Sequence, residues 1–209
     1  MTEAQAAATL SGGVALLERA ISYSLCQLNG VTTATLSRPT PCTQWDLAAL
    51  LVHVTDSLAA LQEAMDLREV EPPPDVRDIG APGTRPGALQ NDPAAYLVAA
   101  LRRRACHLLG SLAIARDHLV LVGGYPVPAS IVTSAGAVDV AVHGWDIGCA
   151  CGAPAAIPEE LAQEMLRITP LLVTSADRPE MFAHPVPVAD YASASDRLVG
   201  YLGRSPAQR

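Results

Sequence analysis

The sequence predicts an all-α protein, a four-helix bundle with short additional helices and a Pro-rich C-terminal tail. Apolar residues recur with helical periodicity over most of the 209 residues, and strand-like alternation is scarce. Half of the residues are apolar and 17% are charged, so the chain has enough apolar surface to bury a core. Because no internal repeat or linker divides the sequence, residues 1–209 are predicted to form a single domain.

Two helices are predicted in the first third of the chain. The first runs from about residue 3 to 28 and ends near Asn29-Gly30, since asparagine and glycine are common helix stops. The second begins at Thr43, which can cap the first amides while Asp46 occupies the reciprocal third position, and it runs to about residue 67.

Capping residues and prolines set the bounds of the later elements. Asp92-Pro93 predicts a third helix to about residue 115, because aspartate caps a helix and proline is favoured at its first position. A short strand is predicted at 119–122. A fourth helix spans about 128–151, a fifth runs from Pro158 towards residue 173, and a short one covers about 193–202.

Two segments lack helical periodicity. Residues 68–91 are rich in proline and glycine and are predicted to form a long loop, which is either a lid over one end of the bundle, with Arg77 and Arg85 facing an anionic substrate, or a plain connector. Residues 178–209 are Pro-rich and are predicted to form an extension that packs on the bundle.

Charge and hydropathy exclude several classes of function. The net charge is −7 and the one dense basic cluster is Arg102-Arg103-Arg104, so a nucleic-acid partner is not expected. No apolar run reaches the roughly 18 residues of a membrane span, and the N-terminus lacks the basic start of a signal peptide. We therefore expect a cytoplasmic protein with a small-molecule substrate and no membrane partner, and leave assembly as a homodimer open.

The five cysteines do not indicate a disulfide framework or a thiolate zinc site. They are odd in number and lack a C-x-x-C spacing. They are predicted to be buried or inert thiols, as free cysteines usually are.

The polar residues of two helices suggest a site. On a helical wheel, His53 lies on the apolar face of the second helix, where its ring nitrogens need either hydrogen bonds or a metal. In the fourth helix, Asp139, His143 and Asp146 form one narrow polar strip at spacings of four and three. This strip is either half of a metal site or the thin solvent-exposed face of the helix. His53, Asp139 and His143 together would supply three ligands and leave one position open, as in catalytic metal sites.

A resemblance supports the metal interpretation. The chain resembles the mycothiol-dependent maleylpyruvate isomerase N-terminal domain family, of the DinB-like superfamily. The residues that carry the resemblance are Thr40-Pro41-Cys42-x-x-Trp45-x-Leu47-x-x-Leu50-x-x-His53-Val54, then Val142-His143-Gly144-Trp145-Asp146-Ile147 and Gly152, and at the C-terminal end Phe182, Pro185-Val186-Pro187-Val188, Asp196-Arg197-Leu198 and Leu202-Gly203-Arg204.

The resemblance implies a DinB-like bundle that binds zinc or another divalent ion through His53, Asp139 and His143, with mycothiol as a co-substrate. Where the family usually has glutamate, this chain has Asp139. Asp146, one turn after His143, is predicted either to orient a ligand ring or bound water or to form a local polar contact. Trp45 and Trp145 are interpreted as core anchors in preference to cavity walls.

The leading functional hypothesis is a divalent-metal-dependent enzyme, a mycothiol S-transferase or isomerase of a small electrophilic metabolite, with Asp139, His143 and Asp146 as its catalytic residues. Two alternatives stay open. One is a metal-free small-molecule-binding or sequestering protein, which the shorter carboxylate at Asp139 favours. The other is a biosynthetic tailoring enzyme that uses Asp139 and His143 directly as acid and base.

Overall fold

The structure, a computed structural model, describes residues 3–43, 45–70, 92–115, 118–178 and 182–208. For residues 3–11 and 208 it describes the backbone and not the side chains. Six helices and a small sheet make up the regular structure of these residues. The helices are α1 (Glu3–Gln27), α2 (Leu47–Asp66), α3 (Pro93–Ala113), α4 (Ala129–Cys151), α5 (Glu159–Leu172) and α6 (Ala194–Tyr201), and the strands are β1 (Glu69–Val70), β2 (Leu119–Val122) and β3 (Tyr125–Pro128). The predicted helical fold is confirmed. Of the predicted loop 68–91, residues 71–91 lie outside the described residues, with Arg77 and Arg85 among them.

Helices α1 to α4 form the bundle, and close contacts with the glycines of α4 give their directions. Ser24 of α1 lies against Gly144, and Gln27, one turn later, lies against Gly148, so α1 runs parallel to α4. Leu61 of α2 contacts Gly136, whereas His53 lies near His143, so α2 runs antiparallel to α4. Positions 53 and 143 therefore meet within the bundle.

The cap of α2 differs from the prediction. The backbone of Asp46 is extended, and its side chain accepts a hydrogen bond from the backbone N–H of Ala49 at 2.9 Å. Asp46 is therefore the N-cap of α2. The predicted start at Thr43 is wrong because Thr43 precedes this cap by three residues. The cap predicted for α3 is correct, since the Asp92 carboxylate accepts from the N–H groups of Ala94 and Ala95.

A three-stranded sheet in the order β1-β2-β3 is added to the predicted all-α architecture. Strand β2 matches the predicted strand and turns into β3 through Gly123 and Gly124, whose φ angles of 56° and 81° suit a tight hairpin. Strand β3 contains Pro126 and Pro128, and proline is rare in strands except at a sheet edge, which explains why the sequence pattern missed it.

Helix α4 is the centre of the core. From Gly136 to Gly148 every residue is buried except Asp139, and Trp145 is fully buried, as predicted for a core anchor. Small residues on α4 let α1 approach closely enough for the Ser24 hydroxyl to donate a 2.6 Å hydrogen bond to the Val140 carbonyl. Within the described residues, no helix is long and apolar enough to cross a membrane.

Replacing Gly144 with alanine is expected to destabilise the protein, because the added Cβ would lie 3.0 Å from the Cα of Ser24 and would force α1 away from α4. Overpacking of this kind costs about 1–3 kcal/mol. Gly110→Ala in α3 is the matched control. A Cβ there meets no atom within 4 Å, so the better helix propensity of alanine should add about 0.5–1 kcal/mol. Urea denaturation should show a lower free energy of unfolding in Gly144→Ala and a higher one in Gly110→Ala. Equal changes in the two variants would contradict the packing argument.

The C-terminal residues contact the bundle through α6 and the chain that follows it. Ser193 caps α6 by accepting from the N–H of Asp196, and the α6 residues Leu198 and Val199 are buried in the core. Arg178 ties this segment down by donating hydrogen bonds to the carbonyl groups of Ala183 and Tyr201.

The five cysteines form no disulfide, as the sequence predicted. Cys26 and Cys106 are exposed, so for these two the expectation of buried or inert thiols reduces to inert thiols, which stays a prediction.

Candidate metal centre

Three predicted ligands converge between α2 and α4. Local sequence places them there, because His53 shares the inner face of α2 with Leu50 and Val54, while Asp139 and His143 are one turn apart on α4. The polar strip of α4 is not a solvent-exposed face, since His143 is 5% exposed and Asp146 is 0% exposed. The alternative that the strip is an ordinary surface pair is therefore wrong.

The ligand atoms lie close together. Nε2 of His143 is 3.3 Å from Oδ1 of Asp139, and Nε2 of His53 is 4.0 Å from the same oxygen. One ligand atom from each of the three residues fits within 4.8 Å of the others. The two imidazole rings meet edge to face, with their centroids 5.0 Å apart.

Neighbouring side chains orient each ligand. Nδ1–H of His143 donates to Oδ2 of Asp146 at 3.0 Å, which leaves Nε2 directed at Asp139. Ser57, one turn after His53, hydrogen-bonds the Asp139 carboxylate. The Trp45 indole stacks on the His53 ring with a centroid distance of 4.2 Å. The prediction that Trp45 is a core anchor misses this role, because Trp45 is half-buried and forms a wall of the site.

The site has strongly perturbed electrostatics in the metal-free protein. Burial alone would raise the pKa of Asp139, but the charge and hydrogen bond of His143 and the charge of His53 outweigh it and lower that pKa to about 2. Burial alone would lower the pKa of His143, yet Asp139 and Asp146 raise it to about 9. The pKa of His53 is lowered, because burial and the His143 charge outweigh the attraction of Asp139. At neutral pH, Asp139 and His143 therefore form an ion pair.

The raised pKa of His143 predicts a pH dependence of stability in the metal-free protein. The folded-state pKa of about 9 exceeds the ordinary histidine pKa of 6.5, so the protonated ring stabilises the fold fully below pH 6.5. This contribution is lost as the pH rises through 9. The free energy of unfolding, measured with a chelator present, should fall between pH 7 and 10 more steeply in the wild type than in His143→Gln. Parallel curves for the two proteins would contradict the prediction.

The residues present fit a divalent ion. With bonds of about 2.0–2.1 Å, tetrahedral zinc places its ligand atoms about 3.3–3.4 Å apart, which is the separation of Asp139 and His143. The Asp139 carboxylate thus lies at ligand distance from His143, whereas His53, 4.0 Å from the same oxygen, would have to move closer on binding. Asp146 supplies the carboxylate that commonly accepts from the second nitrogen of a metal-bound histidine. The ligand roles of His53, Asp139 and His143 stay a prediction that this geometry supports.

One side of the cluster opens to solvent. The side chains of Asp139 and His53 are 36% and 30% exposed, whereas His143 is almost covered. A substrate can therefore approach along the Asp139–His53 side, next to the Trp45 ring.

Sequence reasoning missed the partner of Asp146. Nη2 of Arg204 donates to Oδ2 of Asp146 at 2.9 Å, and Nε donates to Oδ1 at 3.4 Å. Arg204 follows α6, 58 residues after Asp146. In the sequence, Arg204 was noticeable only as part of Leu202-Gly203-Arg204, one of the C-terminal segments that resemble the family. The resemblance implied no role for it.

Comparison with known proteins places the chain in a family. Residues 17–148 match the family described as mycothiol maleylpyruvate isomerase N-terminal domain. The chain belongs to this family. The matched range includes His53, Asp139, His143 and Asp146 and ends before Arg204.

Curated relatives of this family member are uncharacterized. Two uncharacterized proteins of Mycobacterium tuberculosis, from strains CDC 1551 / Oshkosh and ATCC 25618 / H37Rv, are each 26% identical to it over 199 residues. The alignments cover 90% of this chain and 95% of each relative. No solved structure matches the chain significantly.

Proposed function

We propose that this protein is a divalent-metal-dependent enzyme, with zinc as the expected ion, and that it acts on a small electrophilic metabolite with mycothiol as co-substrate, either by adding the mycothiol thiol to it or by isomerising it. The observation that carries the proposal is the cluster of His53, Asp139 and His143, whose three ligand atoms converge and leave one side open. Structural zinc sites are closed by four protein ligands, whereas catalytic sites keep a position for substrate or water. The family adds the thiol, because its description names mycothiol.

The chain's own residues would hold and orient the reactants. His53, Asp139 and His143 would hold the ion, which when bound supplies a Lewis acid that lowers the pKa of a thiol or water at neutral pH. The hydrogen bond from Ser57 fixes the Asp139 carboxylate, and the indole of Trp45 limits the movement of the His53 ring and excludes water from one side. Asp146 is fully buried, so we assign it to the orientation of His143 and not to contact with substrate.

The sulfur nucleophile would come from a small molecule. The three-residue cluster contains no cysteine, and each of the five cysteines of the chain lies within the described residues. No protein thiol is therefore among the ligand atoms of this cluster. This arrangement supports an external thiol such as mycothiol, which would enter from the open side.

A second candidate function is supported by the geometry of Asp139 and His143, whose carboxylate oxygen and ring nitrogen lie 3.3 Å apart. Such a pair provides a carboxylate base and an imidazolium acid at neutral pH without a metal. The binding-protein alternative is less supported, because the Asp139 carboxylate, despite its shorter side chain, lies 3.3 Å from Nε2 of His143.

The distinguishing experiment is an assay of small electrophiles with mycothiol, carried out before and after removal of metal by a chelator and after its return. We expect turnover that needs both the thiol and the metal. Asp139→Ala should abolish the activity, whereas Asp139→Glu, which restores the carboxylate usual in the family, should retain it. Activity that survives the chelator would favour the acid–base enzyme and overturn the metal mechanism.

A further inference from the structure

Arg204 contacts the candidate metal centre from outside the ligand set. Its side chain is 7% exposed, and it donates two hydrogen bonds to the carboxylate of Asp146, which is 0% exposed. A carboxylate cannot stay ionised in such a place without a partner, because transfer of a bare charge out of water is very unfavourable. Arg204 therefore supplies the positively charged partner of this buried carboxylate and holds it by two hydrogen bonds.

The same carboxylate is the acceptor for His143. Oδ2 of Asp146 accepts from Nη2 of Arg204 and from Nδ1 of His143, at 2.9 Å and 3.0 Å. With Nδ1 engaged in this way, Nε2 is the ring nitrogen that points at Asp139. A carboxylate that turned away would lose this bond, and the imidazole ring would then be free to rotate.

The backbone around Arg204 is itself fixed. The N–H of Arg204 donates to the carbonyl of Val199 at 2.9 Å, and its Nη1 donates to the carbonyl of Leu202. Gly203 has a φ of 83°, and an added Cβ there would lie 2.8 Å from the carbonyl oxygen of Ala183. The chain after α6 thus holds the guanidinium in one place, which a positioning role requires.

We propose that Arg204 is a positioning residue of the metal centre, which holds Asp146 so that Asp146 orients Nε2 of His143 towards the ion. The inference rests on the proposed metal site. Arg204 lies after residues 17–148, which match the family, so a residue outside the matched range would help to build the site. Loss of the group that accepts a hydrogen bond from a metal-bound histidine commonly weakens metal binding about 10–100-fold, and Arg204 holds that group in place.

The first test measures metal affinity, by competition with a chromophoric chelator, in the wild type, Arg204→Met and Arg204→Lys. We expect a loss of about 10–100-fold in Arg204→Met and a smaller loss in Arg204→Lys, whose ammonium can contact one oxygen but cannot reproduce the two-pronged bond. The cobalt(II) absorption spectrum should change in the same order. Arg178→Met is the matched control, because Arg178 fastens the same segment to Tyr201 without contacting Asp146.

A double-mutant cycle distinguishes positioning from general support of the fold. If Arg204 acts through Asp146, Arg204→Met should weaken metal binding strongly in the wild type but little in an Asp146→Asn background. An equal loss in both backgrounds, an equal loss in Arg178→Met, or affinity within twofold of wild type in Arg204→Met would overturn the proposal. If Arg204→Met does not fold, Arg204→Lys provides the same cycle.

The last measurement needs no metal and separates failure of this inference from failure of the proposed function. In the metal-free protein, the Nδ1 proton of His143 should give a downfield, slowly exchanging proton NMR signal, identified by its absence from His143→Gln. We expect this signal to broaden or disappear in Arg204→Met and Arg204→Lys but not in Arg178→Met. Its unchanged presence in both Arg204 variants would overturn the positioning role, whereas a wild type that binds no metal but shows the expected NMR changes would overturn the metal function alone.

Discussion

Replacing His143 with alanine is expected to remove the divalent ion from the protein. The purified wild type should carry about one equivalent of metal, since three converging ligands make one site, and the variant should carry little. The reason is that His143 supplies the most enclosed ligand atom, 3.3 Å from the Asp139 oxygen, and two ligands in water do not hold zinc well. Elemental analysis of protein prepared without a metal-binding tag gives the measurement, and His53→Ala should give the same result.

His107→Ala provides the control for this experiment. His107 is exposed on α3, so the substitution removes an imidazole without touching the cluster. Its metal content should equal that of the wild type. Absence of metal from the wild type after reconstitution, or retention of a full equivalent in His143→Ala, would rule out the proposed centre.

Replacing Arg204 with methionine is expected to cause a large loss of stability. The variant keeps the volume of the side chain but leaves the fully buried carboxylate of Asp146 without its guanidinium partner. Breaking a buried ion pair by removal of one partner costs about 3–5 kcal/mol, and the hydrogen bond that Asp146 still accepts from His143 should keep this loss at the lower end of that range. The free energy of unfolding from urea denaturation of the metal-free protein should fall by about this amount.

Arg19→Met is the matched control for that loss. Arg19 also makes a two-pronged ion pair, with Glu164, but the two side chains are 41% and 43% exposed. Water screens such a pair, so its loss should cost about 0–1 kcal/mol. Similar losses in free energy of unfolding in the two variants would show that the buried Asp146–Arg204 pair stabilises the protein no more than an exposed pair does.

Local signals in the sequence predicted most of the helical fold. The Asp92 cap, the left-handed Gly152 after α4 and Pro158 before α5 act within a few residues of each helix end, so they can be recognised without knowing the rest of the molecule. The start of α2 was placed wrongly because Thr43 and Asp46 are both good caps, and the choice depends on how the preceding turn packs.

Helical spacing also predicted which residues form the candidate site, but not which way they face. Positions 139, 143 and 146 must share one strip of α4, whatever surrounds it. Whether that strip faces water or the bundle interior depends on where α2 lies. The antiparallel packing of α2 on α4 brings His53 to Asp139 and so excludes the surface interpretation, whereas metal binding stays a prediction.

The sequence by itself therefore determined the helices, the family and the three candidate ligands, because each depends on residues close together in the chain or on a motif. Only the tertiary structure decided the contacts that join distant segments. It placed the Trp45 ring on His53, bound Asp146 to Arg204 and added the small sheet. The physical reason is that burial leaves a charge or a polar group dependent on whichever partner the fold brings to it, and residues 58 positions apart carry no local signal that they will meet.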